Sequence, residues 1–168
     1  PVNFTLLKQL PRLNNSMEYC DFDSEIQNKG WVVIDSVIPQ ELVSNMKRDL
    51  FLCYEECRKI QIKNGVSVAT PNTVHHLIGQ KESFLHYLSL NPVGSYIERY
   101  FNGQYILNSF GGAINLAGQK SYANNIHRDI RSYSGDYNLM LNTLLMLDDF
   151  TPDNGATQLL SGSHKKEQ

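Results

Sequence analysis

The chain changes its periodicity at Gly103, and that change limits the folds open to it. Before Gly103, apolar residues recur at helical spacing. After it, short apolar runs alternate with turn signals. Leu42, Met46, Leu50, Cys53, Cys57 and Ile60 stand three or four apart and form one stripe. They predict a helix over 40–63, with Pro39 serving as its first residue and Asn64-Gly65 stopping it. Residues 82–90 and 92–101 read as two further helices, the second N-capped by Asn91 and stopped by Gly103. A β-rich run at 31–34 follows Gly30. Downstream, 105–110, 113–116, 122–130, 139–147 and 156–160 read as strands. Gly-Gly, Ala-Gly, Ser-Gly-Asp and Pro-Asp-Asn-Gly separate them. Helices followed by closely spaced strands define an α+β chain with an antiparallel sandwich or barrel. Five strands are few for a closed jelly roll of about eight, so the sequence reads as the front part of a longer protein.

At 168 residues the chain suits one domain able to bury a core of its own. Residues 1–29 read as an irregular polar arm, and 30–168 as the strand-helix region and the front of the β domain. Lys and Arg total 15 against 17 Asp and Glu, a balance that gives no general drive toward nucleic acid or anionic membrane. No apolar run approaches the ~20 residues that span a bilayer. Three cysteines argue against a secreted disulfide scaffold. Cys53 and Cys57, four apart, are expected to pack as small hydrophobes. With no basic region and apolar core at the N-terminus, the cytoplasm is the expected location.

The segment that carries chemistry is Asn124-Asn125-Ile126-His127-Arg128-Asp129-Ile130. On an extended strand His127 and Asp129 point the same way, and an imidazole with a carboxylate is two thirds of the facial triad that binds Fe(II). His-x-Asp alone also describes a solvated surface pair. A protein-kinase catalytic loop fails, because Ser134 stands where that loop needs Asn and no glycine-rich loop, strand Lys or Asp-Phe-Gly occurs.

Downstream, the apolar run 139–147 ends in Asp148-Asp149. An Asn154-Gly155 turn follows, and then Ser161-Gly162-Ser163-His164-Lys165. This order resembles the phytanoyl-CoA dioxygenase family of Fe(II)/2-oxoglutarate-dependent oxygenases, with Ser161 where the family usually has Pro. Gly30-Trp31-Val32-Val33-Ile34-Asp35 is similar to the family's first strand. The resemblance implies a double-stranded β-helix (jelly roll) core with N-terminal helices packed on one sheet. It also implies Fe(II), 2-oxoglutarate and O2 as cofactor and cosubstrates, a small-molecule substrate, and no nucleic-acid or membrane partner. Oligomeric state is not implied. His127 and Asp129 would be the first two iron ligands.

Asn142, Asn115 and Asn108 fall where relatives contact 2-oxoglutarate, although such residues also serve as turn or edge residues. His75 and His76 lie in a segment that lines the site mouth in relatives. Arg131 shares the ligand face and could meet an anionic substrate, and Tyr133 lies in a loop suited to a substrate wall. His164 belongs to the turn motif. In the family the distal His and the basic residue that pairs with 2-oxoglutarate lie past that turn. This sequence reaches Gln168 without them, so either they follow in a further part or the chain by itself is not a competent enzyme. By the same resemblance a carboxylate at 129 points to hydroxylation or a related oxidation, because halogenases of this kind have a small residue there. The alternative from another class is a catalytically inactive jelly-roll module that binds a ligand; a cupin-like metal enzyme is disfavoured by the Asn-Gly and Gly-Ser-His-Lys pattern.

Overall fold

A computed structural model describes residues 5–6, 17–66, 72–116, 125–130 and 135–166. The elements run β1 (Thr5–Leu6), α1 (Tyr19–Lys29), α2 (Gln40–Lys63), β2 (Thr73–Val74), α3 (Glu82–Leu90), α4 (Gly94–Phe101), β3 (Gly112–Ala113) and β4 (Gln158–Leu159). Single 3-10 turns cover Pro152–Asn154 and Ser163–Lys165. The chain divides into two units, one of 1–37, 93–105 and 129–168, the other of 38–92 and 106–128.

The second unit is organised by α2. Leu42, Met46, Leu50 and Cys53 are buried on it, as the spacing predicts, while Ile60 at the far end is 59% exposed. Burial pushes the Cys53 thiol up, away from its reactive thiolate form. Phe84 and Tyr87 of α3 join this core, and Phe110 meets Phe84 edge-on and stacks on Tyr87, with centroids 6.0 Å apart in each pair. Asp49 is buried on the same helix. Its Oδ2 accepts from Ser83 Oγ at 2.6 Å, which ties α2 to α3 through a charge-assisted bond.

β2 pairs antiparallel with β3, Thr73 opposite Ala113 and Val74 opposite Gly112. The pairing continues at both ends, where Ile114 N–H donates to the Asn72 carbonyl and Leu77 N–H to the Phe110 carbonyl. Gly111-Gly112, expected as a turn, is instead where backbone approaches backbone. A Cβ on Gly111 would lie 2.8 Å from the Val74 carbonyl oxygen, and one on Gly112 2.4 Å from Leu50 Cδ1.

In the first unit α1 packs on α4. Tyr96 lies against Tyr19 and Phe22, with centroids 5.5 and 5.1 Å away, and its hydroxyl donates to the Met17 carbonyl at 2.8 Å. Arg99 of α4 holds Asp23 of α1 by donating from Nε to Oδ1 and from Nη2 to Oδ2, while its charge lies over the Tyr19 ring at 5.3 Å. Helix α1 corrects the irregular backbone expected over 19–29; residues 1–4 and 7–16 of that arm lie outside the described residues. β1 pairs antiparallel with β4, Thr5 opposite Leu159.

Other differences from expectation have local causes. Asn91 does not cap α4; it ends α3 in the left-handed conformation (φ 43°), which Asn tolerates better than most residues. α4 accordingly begins at Gly94, and Asn102 ends it the same way. Pro39 takes the N-cap position of α2 and not the first helical one.

The strands depart further. Runs 31–34, 105–110 and 139–147 form no strand, nor does the described part of 122–130; residues 122–124 lie outside the described residues. Of 113–116 only Ala113 is in a strand, and of 156–160 only Gln158–Leu159. A strand exists only through a ladder with a neighbour, and these runs have no ladder partner among the described residues. Leu139 and Leu144 are accordingly 63% and 59% exposed. Helices and strands both form, but the jelly roll is not among the described elements.

The Arg99 guanidinium holds the Asp23 carboxyl below the usual carboxylate range. A lowered folded value means that the pair stabilises above the unfolded pKa and is lost as pH falls through the folded one. Asp23→Asn is expected to lower the urea midpoint at pH 7 and to narrow the gap between midpoints at pH 7 and pH 3. Parallel urea melts of the two proteins check this.

Candidate metal centre

Residues 125–130, where the sequence places the expected ligands, run on an irregular backbone. His127 is exposed, and its Nδ1–H donates to the Asn125 carbonyl oxygen at 2.6 Å. Because a carbonyl only accepts, a proton sits on Nδ1, so the neutral ring carries its lone pair on Nε2. That is the tautomer a metal ligand needs, and a backbone carbonyl behind the ring is the usual device for fixing it.

Asp129, in the other unit, is exposed too, and Asn142 Nδ2 donates to its Oδ2. An expected iron ligand and an expected cosubstrate residue therefore meet directly, thirteen residues apart. No sequence signal marks that pair, because the approach depends on the path of the chain between them. Among the described residues no three His, Cys, Asp or Glu side chains gather as a metal site.

The remaining expected residues scatter. His75 and His76 follow β2 and are exposed, with centroids 6.4 Å apart. His75 Nε2 bonds Thr73 Oγ1 at 3.3 Å, and His76 turns the chain with φ 59°. Asn115 and Asn108 are exposed on either side of β3. Arg131 and Tyr133 lie outside the described residues. Asn72, beside β2, is buried with an Oδ1 that has no hydrogen-bond partner among the described residues; a group entering there would have to donate.

The Gly-Ser-His-Lys turn has a different task. Its Gly162 N–H donates to the Lys29 carbonyl at 2.8 Å, and His164 Nε2 donates to the Gln27 carbonyl at 3.2 Å. Both acceptors belong to the last turn of α1, whose carbonyls have no partner within the helix. Gly30 caps that helix with φ 82°, and a Cβ there would lie 2.3 Å from His164 Nδ1. Ser161 Oγ accepts from Trp31 Nε1 at 3.1 Å. A proline at 161 would offer no side-chain acceptor, so the departure from the family's usual residue supplies a partner to the chain's single tryptophan.

The sequence profile of phytanoyl-CoA dioxygenase (PhyH) matches residues 26–168, and the chain belongs to that family. The iron/alpha-ketoglutarate-dependent dioxygenase penM of Penicillium thymicola is 26% identical over 175 residues, covering 94% of this chain and 55% of the relative. The chain thus spans about half the length of the curated relative it matches. No solved structure matches it. Membership implies Fe(II) as cofactor, with 2-oxoglutarate and O2 as cosubstrates. The donors fit: an imidazole with its lone pair on Nε2 and a carboxylate are the ligand types of the facial triad.

Two outcomes follow for the turn. Ser161→Ala should cost about 0.5–1.5 kcal/mol and shift the Trp31 emission, as fluorescence-detected denaturation would read. Gly30→Ala should cost about 1–3 kcal/mol by overpacking. Combining it with His164→Ala should cost less than the sum of the two, a non-additivity that a double-mutant cycle measures.

Proposed function

We propose that this chain carries two of the three metal ligands of an Fe(II)- and 2-oxoglutarate-dependent oxygenase that hydroxylates a small organic molecule. The observation that carries the reading is the Nδ1 bond of His127 to the Asn125 carbonyl, in a His-x-Asp segment inside the family match. A solvated surface histidine has no need of a fixed tautomer; a ligand does. The name of the penicillium relative points the same way.

In this reading His127 Nε2 and a carboxylate oxygen of Asp129 hold the iron. Residues i and i+2 are at most about 7 Å apart along any backbone, within joint reach of one ion. Bound iron with 2-oxoglutarate and O2 supplies the oxidation that converts a substrate C–H bond to C–OH, while 2-oxoglutarate becomes succinate and CO2. The chain's own part is to bind and orient. Asp129 neutralises one positive charge of the ion, and its presence favours hydroxylation over halogenation. Asn142, Asn115 and Asn108 offer amide donors to the cosubstrate carboxylates. His75, His76, Arg131 and Tyr133 are assigned to the substrate side. His164 is not offered as the third donor, because its ring sits over Gly30 and its Nε2 is bonded to Gln27. The jelly roll and a cytoplasmic location belong to the same proposal; no helix among the described residues is long and apolar enough to cross a membrane.

Anaerobic titration with Fe(II) and then 2-oxoglutarate tests it. The visible charge-transfer band of the chelate is expected with the wild-type protein and lost in Asp129→Ala. The absence of a band in wild type would favour a ligand-binding module of the same fold.

A further inference from the structure

Helix α4 ends beside a hollow of about 560 Å³ lined by Glu98, Asn102, Gly103, Gln104 and Tyr105, all within the first unit. We infer that this hollow binds a small organic ammonium ion. None of its residues takes part in the metal-centre reading, so the two stand or fall separately.

The charge around the hollow has one sign. Glu98 is exposed, and its carboxylate has no ion-pair or hydrogen-bond partner among the described residues. No Lys or Arg lines the hollow. The neighbouring cation, Arg99, is committed to α1, bonded to Asp23 and lying over the Tyr19 ring. Glu98 thus stands in the last turn of α4, where the helix dipole adds partial negative charge. Asn102 closes the helix with φ 50°, and the turn there brings Gln104 and Tyr105 to the same hollow. The N–H groups of Asn102 and Gly103 donate to the Arg99 and Glu98 carbonyls, so neither is left for an anion. The Tyr105 ring stacks on Phe101 with centroids 6.3 Å apart, and Phe101 meets Tyr100 edge-on. That backing fixes an aromatic wall, and ring faces attract cations.

These features favour an ammonium over other occupants. An anion would meet an unpaired carboxylate and a negative helix end. Calcium takes about six to eight oxygen ligands, and one carboxylate with two side-chain amides falls short of that. The volume lies within the range of about 300–1,000 Å³ usual for small-molecule sites. An ammonium gains from the carboxylate, from the ring, and from the amide oxygens of Asn102 and Gln104, which accept N–H bonds.

The test titrates the full chain with n-butylammonium and follows the backbone amide NMR signals of residues 102–105. Saturable shifts of those signals are expected, smaller at high salt and absent with n-butanol, butyrate or calcium. An exposed ion pair and a single ring each contribute little, so Glu98→Gln and Tyr105→Leu should each weaken binding about 2- to 5-fold. Tyr105→Phe keeps the ring and should bind as wild type does. Glu98→Gln should also melt as wild type does, because that side chain is exposed and unpaired.

Equal shifts with n-butanol would overturn the inference in favour of an apolar hollow, and shifts with butyrate or calcium in favour of a different ion. The absence of saturable shifts, or wild-type affinity in Glu98→Gln, would overturn it as well. A lysine side chain carries the same ammonium group. Much tighter binding of N-acetyl-lysine amide than of n-butylammonium would therefore replace the small free amine with a protein partner.

Discussion

The first unit depends on a hydrogen atom where other residues carry a side chain. Gly30 ends α1 in the left-handed conformation, and the space beside its Cα is taken by the His164 ring. Around that contact, the last carbonyls of α1, which a helix cannot satisfy internally, accept from Gly162 and His164. Trp31, the next residue, gives its indole N–H to Ser161. One cap thus fixes the helix end, the path leaving it and the seat of a turn more than 130 residues away. A motif that reads as a signature of function acts here as the partner of a helix terminus.

The second unit shows the same economy in its β2–β3 pair. Gly111 and Gly112 let one backbone pass over another and under the tip of Leu50. In sequence, Gly-Gly between apolar runs signals a turn; in space it marks close approach, the other common use of glycine in a strand. Asn91 shows a related ambiguity, since the residue types that open a helix also tolerate the left-handed conformation that closes one.

Helices α2, α3 and α4 were legible because their information is local, whereas α1, with only modest periodicity, read as irregular. The stripe from Leu42 to Cys53 marks the buried face of α2, with Pro39 and Asn64-Gly65 at its ends, and Phe84 and Tyr87 are the buried aromatics of α3. Strands were not, because an apolar run states only a readiness to pair, and pairing depends on a neighbour elsewhere in the chain. Hence 139–147, the most apolar run of all, is no strand among the described residues. The candidate site divides along the same line. His127 and Asp129 stand out by residue type and spacing, whereas the link from Asn142 to Asp129 belongs to the fold of the intervening chain.

The bond behind His127 comes from the peptide group of Asn125 and not from a side chain. Every amino acid at position 125 carries that carbonyl. The tautomer of the imidazole is therefore insulated from point substitution at its own partner, and only a change in the local course of the backbone can withdraw it. An amide such as Asn142 can be lost in a single codon change; the peptide oxygen cannot. A single substitution can thus remove the amide beside Asp129 far more readily than the carbonyl beside His127.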